Sequence, residues 1–118
     1  MHVRSRADAE PFTTADGSTI RVLLDAERGG TVNQSLAEAE LSPRQATERH
    51  YHVQSEELYV VLEGEAEMEL ERERRTVGPG DAVLIPPGAW HRIRAGGAPV
   101  RFLCCCAPPY RHEDTFFA

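Results

Sequence analysis

The stretch Glu48-Arg49-His50-Tyr51-His52-Val53-Gln54-Ser55-Glu56-Glu57-Leu58-Tyr59-Val60-Val61-Leu62-Glu63-Gly64 decides the fold and the chemistry together. Two histidines stand two residues apart, a carboxylate pair follows, and an apolar run closes on a glycine. Alternate side chains of an extended backbone share a face, so His50 and His52 point the same way. Two convergent imidazoles and a carboxylate make most of a divalent-metal site. The missing ligand must come from elsewhere in the chain. His91, directly after Gly80-Asp81-Ala82-Val83-Leu84-Ile85-Pro86-Pro87-Gly88-Ala89-Trp90, is the candidate. The expected centre is His50, His52, Glu57 and His91, with Glu56 competing for the place of Glu57. His52 and Glu57 are separated by an odd offset, which sends them to opposite faces of an unbroken strand. A turn or bulge at Val53-Gln54-Ser55 is needed if both serve one ion.

Outward from this stretch the chain is strand and turn. Residues 58–62 are apolar on both parities, as in a strand covered on both sides. Glu65, Glu67, Glu69, Glu71 and Glu73 then alternate with Ala66, Met68, Leu70, Arg72 and Arg74. This is better read as the solvated face of a half-buried strand than as an acidic binding strip, with the hairpin turning near Arg72-Glu73. Val77-Gly78-Pro79-Gly80-Asp81 and Pro86-Pro87-Gly88 are turns around a strand at Ala82-Val83-Leu84-Ile85. His91 and Ile93 share a face of the next strand, and residues 100–107 form the last clear one. Upstream, Phe12-Thr13-Thr14 is strand-like, Asp16-Gly17 is a turn, and Thr19-Ile20-Arg21-Val22-Leu23-Leu24 is rich in β-branched residues. Ser35-Leu36-Ala37-Glu38-Ala39-Glu40-Leu41 holds helix formers but alternates with period two. The period and its surroundings favour a strand, whose small inner residues leave room for a cavity. Residues 1–11 are expected to be a flexible end and 108–118 a solvated tail, with weak metal binding by His112-Glu113-Asp114 the lesser alternative. Many short strands, frequent Gly/Pro turns and no clear helix mean one all-β barrel or sandwich over residues 1–118.

Composition narrows the function. The net charge of −6 opposes a nucleic-acid partner, because phosphate binding needs a basic face. All thirteen basic residues are arginine, so Schiff-base chemistry on a lysine is excluded. No apolar run is long enough to span a bilayer, and no hydrophobic stretch follows Met1-His2-Val3-Arg4-Ser5-Arg6 as in a secretory signal. The three cysteines, Cys104, Cys105 and Cys106, are consecutive. Neighbouring Cα atoms ~3.8 Å apart are too close for a usual disulfide, so a reducing, cytoplasmic setting is expected. If Arg101 faces solvent, Phe102, Cys104 and Cys106 point inward. There a thiol is either a small hydrophobe, the commoner case, or a soft ligand. Tyr51 is expected to face away from the site and Trp90 to pack at the rim. Tyr59 either lines the cavity or packs in the core.

These residues resemble the motifs of the small single-domain cupins of the conserved-barrel type. His50, His52, Glu57 and Gly64 fit the first motif of that family. Gly80, Pro86, Gly88 and His91 fit the second, and residues 65–79 lie between the two. The likeness covers residues 33–107. It departs at Arg44, where the family has glycine and where the turn must therefore avoid positive φ, and at Ala95, where it has asparagine. The resemblance implies a double-stranded β-helix (jelly roll), a metal at the barrel mouth and a homodimer. The donor set suits one divalent ion of Fe, Mn, Ni, Zn or Cu and leaves positions open for water, dioxygen or a bidentate substrate.

Three function classes remain. The first is a metal-dependent enzyme acting on a small organic molecule, as a dioxygenase, isomerase, decarboxylase or cyclase. The second is a non-catalytic binding or sensing module, which usually carries a DNA-binding domain that 118 residues do not accommodate. The third, a storage or structural barrel, does not need four convergent ligands. The enzyme is the favoured expectation, with no general base evident beyond the ligands themselves.

Overall fold

Period-two alternation runs through most of the chain, and the computed structural model, which describes Met1 to Ala118, answers it with eleven strands. They are β1 (Phe12–Thr13), β2 (Thr19–Leu24), β3 (Ser35–Leu41), β4 (His50–His52), β5 (Glu56–Glu63), β6 (Ala66–Leu70), β7 (Glu73–Val77), β8 (Ala82–Ile85), β9 (His91–Ala95), β10 (Val100–Ala107) and β11 (Thr115–Phe117). Two sheets form, one in the order β1-β2-β3-β10-β5-β8 and one in the order β11-β4-β9-β6-β7. Every strand pair is antiparallel. The sheets face each other in the double-stranded β-helix expected from the turns and motifs. Their inner faces meet in a core that includes Leu41, Val61, Met68, Ile85, Ile93 and Phe102.

The ambiguous segment 35–41 is a strand, as its period requires, with Ala39 and Leu41 buried inward. Its outward Glu38 is also buried, because the N-terminal segment lies across it. The Arg6 guanidinium grips both Glu38 oxygens at 2.8 and 2.9 Å, and Arg101 adds a third contact at 3.2 Å. Arg4 donates to the Leu23 carbonyl at 2.8 Å, and Ala9 is buried. Residues 1–11 are thus a strap held by charge-assisted bonds, not the free end expected from their polarity.

Two turns also differ from expectation. The β6–β7 hairpin turns at Glu71-Arg72, one residue early, with Glu71 at φ 53°. Arg44 adopts φ 66°, although an arginine there was expected to avoid the left-handed region. Hydrogen bonds on both sides over-determine it: its N–H donates to the Gly96 carbonyl at 2.9 Å, and its own carbonyl accepts from Arg94 at 2.9 Å. That pairing offsets a strain of about 1–2 kcal/mol. At Gly64, φ 82°, no such exchange is available, since a Cβ would collide with the Pro99 carbonyl.

Candidate metal centre

The local fold delivers the ligands from both sheets. β4 and β9 pair with His50 directly opposite His91, and the strand parity sends His52 to the same face as His50. Glu57 comes across from β5 in the other sheet. The offset between His52 and Glu57 is absorbed at residues 53–55, where the strand breaks as required. That break is pinned by the chain's end. The Asp114 carboxylate accepts from the backbone N–H of Gln54 at 2.9 Å and of Ser55 at 3.1 Å, and Ser55 Oγ donates to the Pro108 carbonyl at 2.8 Å. The C-terminal residues are therefore part of the site rather than a solvated tail, and Asp114 is spent on backbone amides.

The four side chains are buried: 3 % exposed at His50, 4 % at His52, 5 % at Glu57 and 0 % at His91. One donor atom from each lies within 4.8 Å of every other. Glu56 is exposed, which separates it from Glu57. Each imidazole is anchored through Nδ1. His50 Nδ1–H donates to the Glu48 carbonyl at 2.6 Å and His91 Nδ1–H to the Ala89 carbonyl at 2.9 Å. His52 Nδ1 lies 3.0 Å from Thr115 Oγ1, whose own proton goes to the Arg111 carbonyl at 3.0 Å. The hydroxyl can then only accept from His52. All three rings carry their proton on Nδ1 and turn the Nε2 lone pair toward the centre.

That arrangement is a test of fit for a cation. Glu57 Oε1 lies 3.2 Å from His52 Nε2 and 3.4 Å from His91 Nε2. Lone pair faces lone pair, and both Glu57 Oε1 and His91 Nε2 lack any hydrogen-bond partner. Buried polar atoms left so are costly unless a positive charge sits among them. The four residues can hold a metal ion, and their three nitrogens and one carboxylate oxygen suit a first-row divalent ion. Burial, reinforced by His91, pushes His50 down to about 4, so it is a neutral donor at neutral pH. Burial pulls the Glu57 carboxyl up, and positive charge among the facing imidazoles, whether a proton on one of them or a cation, holds it below the usual carboxylate range.

The cavity beside these ligands has a volume of about 110 Å³. Tyr59, Phe102, Cys104 and Cys106 line it, in the inward parity expected of β5 and β10. Cys106 Sγ donates to Glu57 Oε2 at 3.1 Å. Burial, followed by the Glu57 charge, raises both thiols, so each is a neutral wall group rather than a thiolate ligand. Tyr51 faces away and packs edge-on against Trp90, with ring centroids 4.5 Å apart.

Sequence patterns did not single out Asp16, Thr115, Tyr110 or Phe117, all of which line the same cavity. Asp16 Oδ1 accepts three hydrogen bonds, from Thr14 Oγ1 at 2.6 Å, Ser18 Oγ at 2.6 Å and Ser18 N at 2.9 Å. Its Oδ2 lies 4.0 Å from His50 Nε2. The available signal was Thr14-x-Asp16-x-Ser18, which places two hydroxyls on either side of a carboxylate. It was legible only as a turn.

The relatives agree with the geometry. A protein of Methanocaldococcus jannaschii with no assigned function, MJ1618, is 46 % identical over 107 residues, which is 90 % of this chain and 86 % of its own. The polyketide cyclase RemF from Streptomyces resistomycificus superposes with a TM-score of 0.79 at 31 % identity, over 97 % of this chain and 89 % of its own. KdgF from Halomonas sp. superposes with a TM-score of 0.82 at 18 % identity, over 96 % of this chain and 97 % of its own, a likeness of fold alone. No helix is long and apolar enough to cross a membrane. The family model described as the cupin domain matches residues 37–106, and the chain belongs to the cupin family.

Proposed function

We propose that this chain is a metal-dependent enzyme of the cyclase or isomerase type, acting on a small organic molecule at a centre made by His50, His52, Glu57 and His91. One observation carries the proposal: three imidazoles fixed on Nδ1 converge with a buried carboxylate, and two of them set their Nε2 atoms 3.2 and 3.4 Å from a carboxylate oxygen that has no hydrogen-bond partner. A divalent ion bound there supplies a Lewis acid for a substrate oxygen. The chain's own groups do the rest. Phe12, Phe117 and Tyr110 line the cavity with aromatic surface. Asp16 is the carboxylate placed to move a proton. Its Oδ1 is held by Thr14 and Ser18, while Oδ2 has no such bond and faces the centre. A proton leaving a carbon beside a substrate carbonyl goes to Oδ2, and its electron pair stays on the substrate as an enolate. The 31 % identity to a polyketide cyclase supports this class of chemistry over an oxygenase. Three unpaired thiols support a cytoplasmic setting.

The test is metal analysis of untagged protein purified without added metal, followed by reconstitution and dioxygen uptake. One equivalent of metal without uptake, and its loss in His52→Ala and His91→Ala, is expected. Uptake with simple diketones or catechols replaces the cyclase by an oxygenase. Full metal content in both variants removes the ligand assignment. Stable binding of a small molecule without turnover turns the enzyme into the binding-module alternative.

A further inference from the structure

We propose that this cavity selects uncharged molecules carrying paired oxygens, rejects carboxylate dianions, and owes the selection to Asp16. The inference rests on the metal centre proposed above and deepens it. Its basis is a charge inventory of the walls. The chain has thirteen arginines and no lysine, and none of the arginines lines the cavity. The acidic residues that do are Asp16, Asp25 and Glu57. Asp25 is already matched, because Arg28 reaches its carboxylate at 2.8 Å and donates its backbone N–H at 2.6 Å. Of the two positive charges on a divalent ion, Glu57 offsets one. Asp16, with Oδ2 4.0 Å from His50 Nε2, offsets the other.

The loaded cavity is therefore close to neutral before a substrate enters. Much of the remaining wall is apolar, including Phe12, Ile20, Phe102 and Phe117. A dianion placed against the ion meets Asp16 at close range in a medium of low dielectric and finds no cationic side chain. A neutral diketone brings no charge. The proton it gives up passes to Asp16 Oδ2, the electron pair remains on the diketone, and the total charge inside is unchanged. Cupin structural neighbours include an oxalate decarboxylase, at 23 % identity, so the dianion is a natural competitor to test.

The experiment uses the full chain loaded with Co(II), followed by its visible absorbance. Equilibrium dialysis first establishes one bound ion. Acetylacetone and malonate then serve as a pair with the same skeleton, methyl groups in one standing where the other has carboxylate oxygens. Each affinity is divided by that ligand's affinity for Co(II) in the same buffer. Acetylacetone is expected to exceed malonate by at least about tenfold on this scale. In Asp16→Asn, whose amide oxygen still accepts from Thr14 and Ser18, malonate binding is expected to rise by at least about tenfold while acetylacetone binding falls. Opposite movement of the two ligands is a signature that a mere loosening of the turn does not give. Malonate matching acetylacetone on the unmodified chain overturns the proposal whether or not the variant folds, and so does movement of both ligands in one direction. Failure to bind Co(II) at all removes the metal centre, and this inference with it.

Discussion

Thr115 offers the sharpest test of how the centre is held. Its hydroxyl is the acceptor for His52 Nδ1–H at 3.0 Å, and it can only accept because its proton is committed to the Arg111 carbonyl. Replacing Thr115 with valine keeps the shape and removes the acceptor. His52 is 4 % exposed, so water does not readily replace the lost partner. An orphaned buried donor costs about 1–3 kcal/mol. The ring has an escape, which is to move its proton to Nε2, but that removes the lone pair the ion needs. Either way metal affinity is expected to fall by about 10- to 100-fold. Thr115→Ser keeps the hydroxyl and is expected to stay within about threefold of the unmodified chain. A competition titration of Co(II) against a chromophoric chelator reads both variants, with the unfolding midpoint of each metal-free form as the control for fold. Unchanged affinity in Thr115→Val refutes the role, as does an equal loss in the serine variant.

Metal-free protein is expected to lose stability on acidification. His50 sits at about 4 when folded, below the ordinary 6.5, so the unfolded chain takes up the proton first. Stability is full above about pH 6.5 and falls by about 3 kcal/mol as pH drops through that window to about 4; urea midpoints independent of pH between these values contradict this. Adding an ion at about 100 times its dissociation constant is expected to stabilise the fold by about 2.7 kcal/mol, raising the thermal midpoint by about 10 °C, and a chelator should reverse it. We also propose a homodimer through the outer face of the six-stranded sheet. There Leu84, Leu58 and Cys105 lie side by side across three strands, with Leu84 54 % and Leu58 41 % exposed. Light scattering is expected to give twice 13.1 kDa, and Leu58→Arg to halve it; 13.1 kDa for the unmodified chain removes the dimer.

What was legible in the sequence was whatever period two and turn chemistry encode locally. His50 and His52 share a face because they are two apart, and the break at 53–55 followed from the odd step to Glu57. The strand at 35–41 was readable once its alternation was weighed above its helix formers. The illegible parts are long-range. Asp16 reads as a turn residue until the chain folds its carboxylate toward His50. Glu38 reads as a solvated outward residue until Arg6, thirty-two positions away, covers it. Thr115-Phe116-Phe117 is too short a run to carry a strand signal, and only its pairing with His52-Tyr51-His50 gives it a place. Arg44 shows the same limit for the backbone, since the bonds that hold its left-handed turn come from Gly96 and Arg94.

The site also explains why those long-range parts matter more than the barrel's own core. His50, His52 and His91 belong to the five-stranded sheet, whereas Glu57 belongs to the six-stranded one. A cation among them therefore bridges the two sheets at the place where apolar side chains would otherwise do so. Four buried polar groups weaken that part of the interior, and they do so whether or not the ligands are well aimed. The C-terminal residues lie outside residues 37–106, yet they supply order around this weak zone. Asp114 ties the end of the chain to the break before Glu57, and Thr115 fixes the tautomer of His52. A cupin barrel can present these four ligands from two short motifs. In this chain the aim of His52, the break before Glu57 and the carboxylate beside His50 are set by residues that neither motif contains.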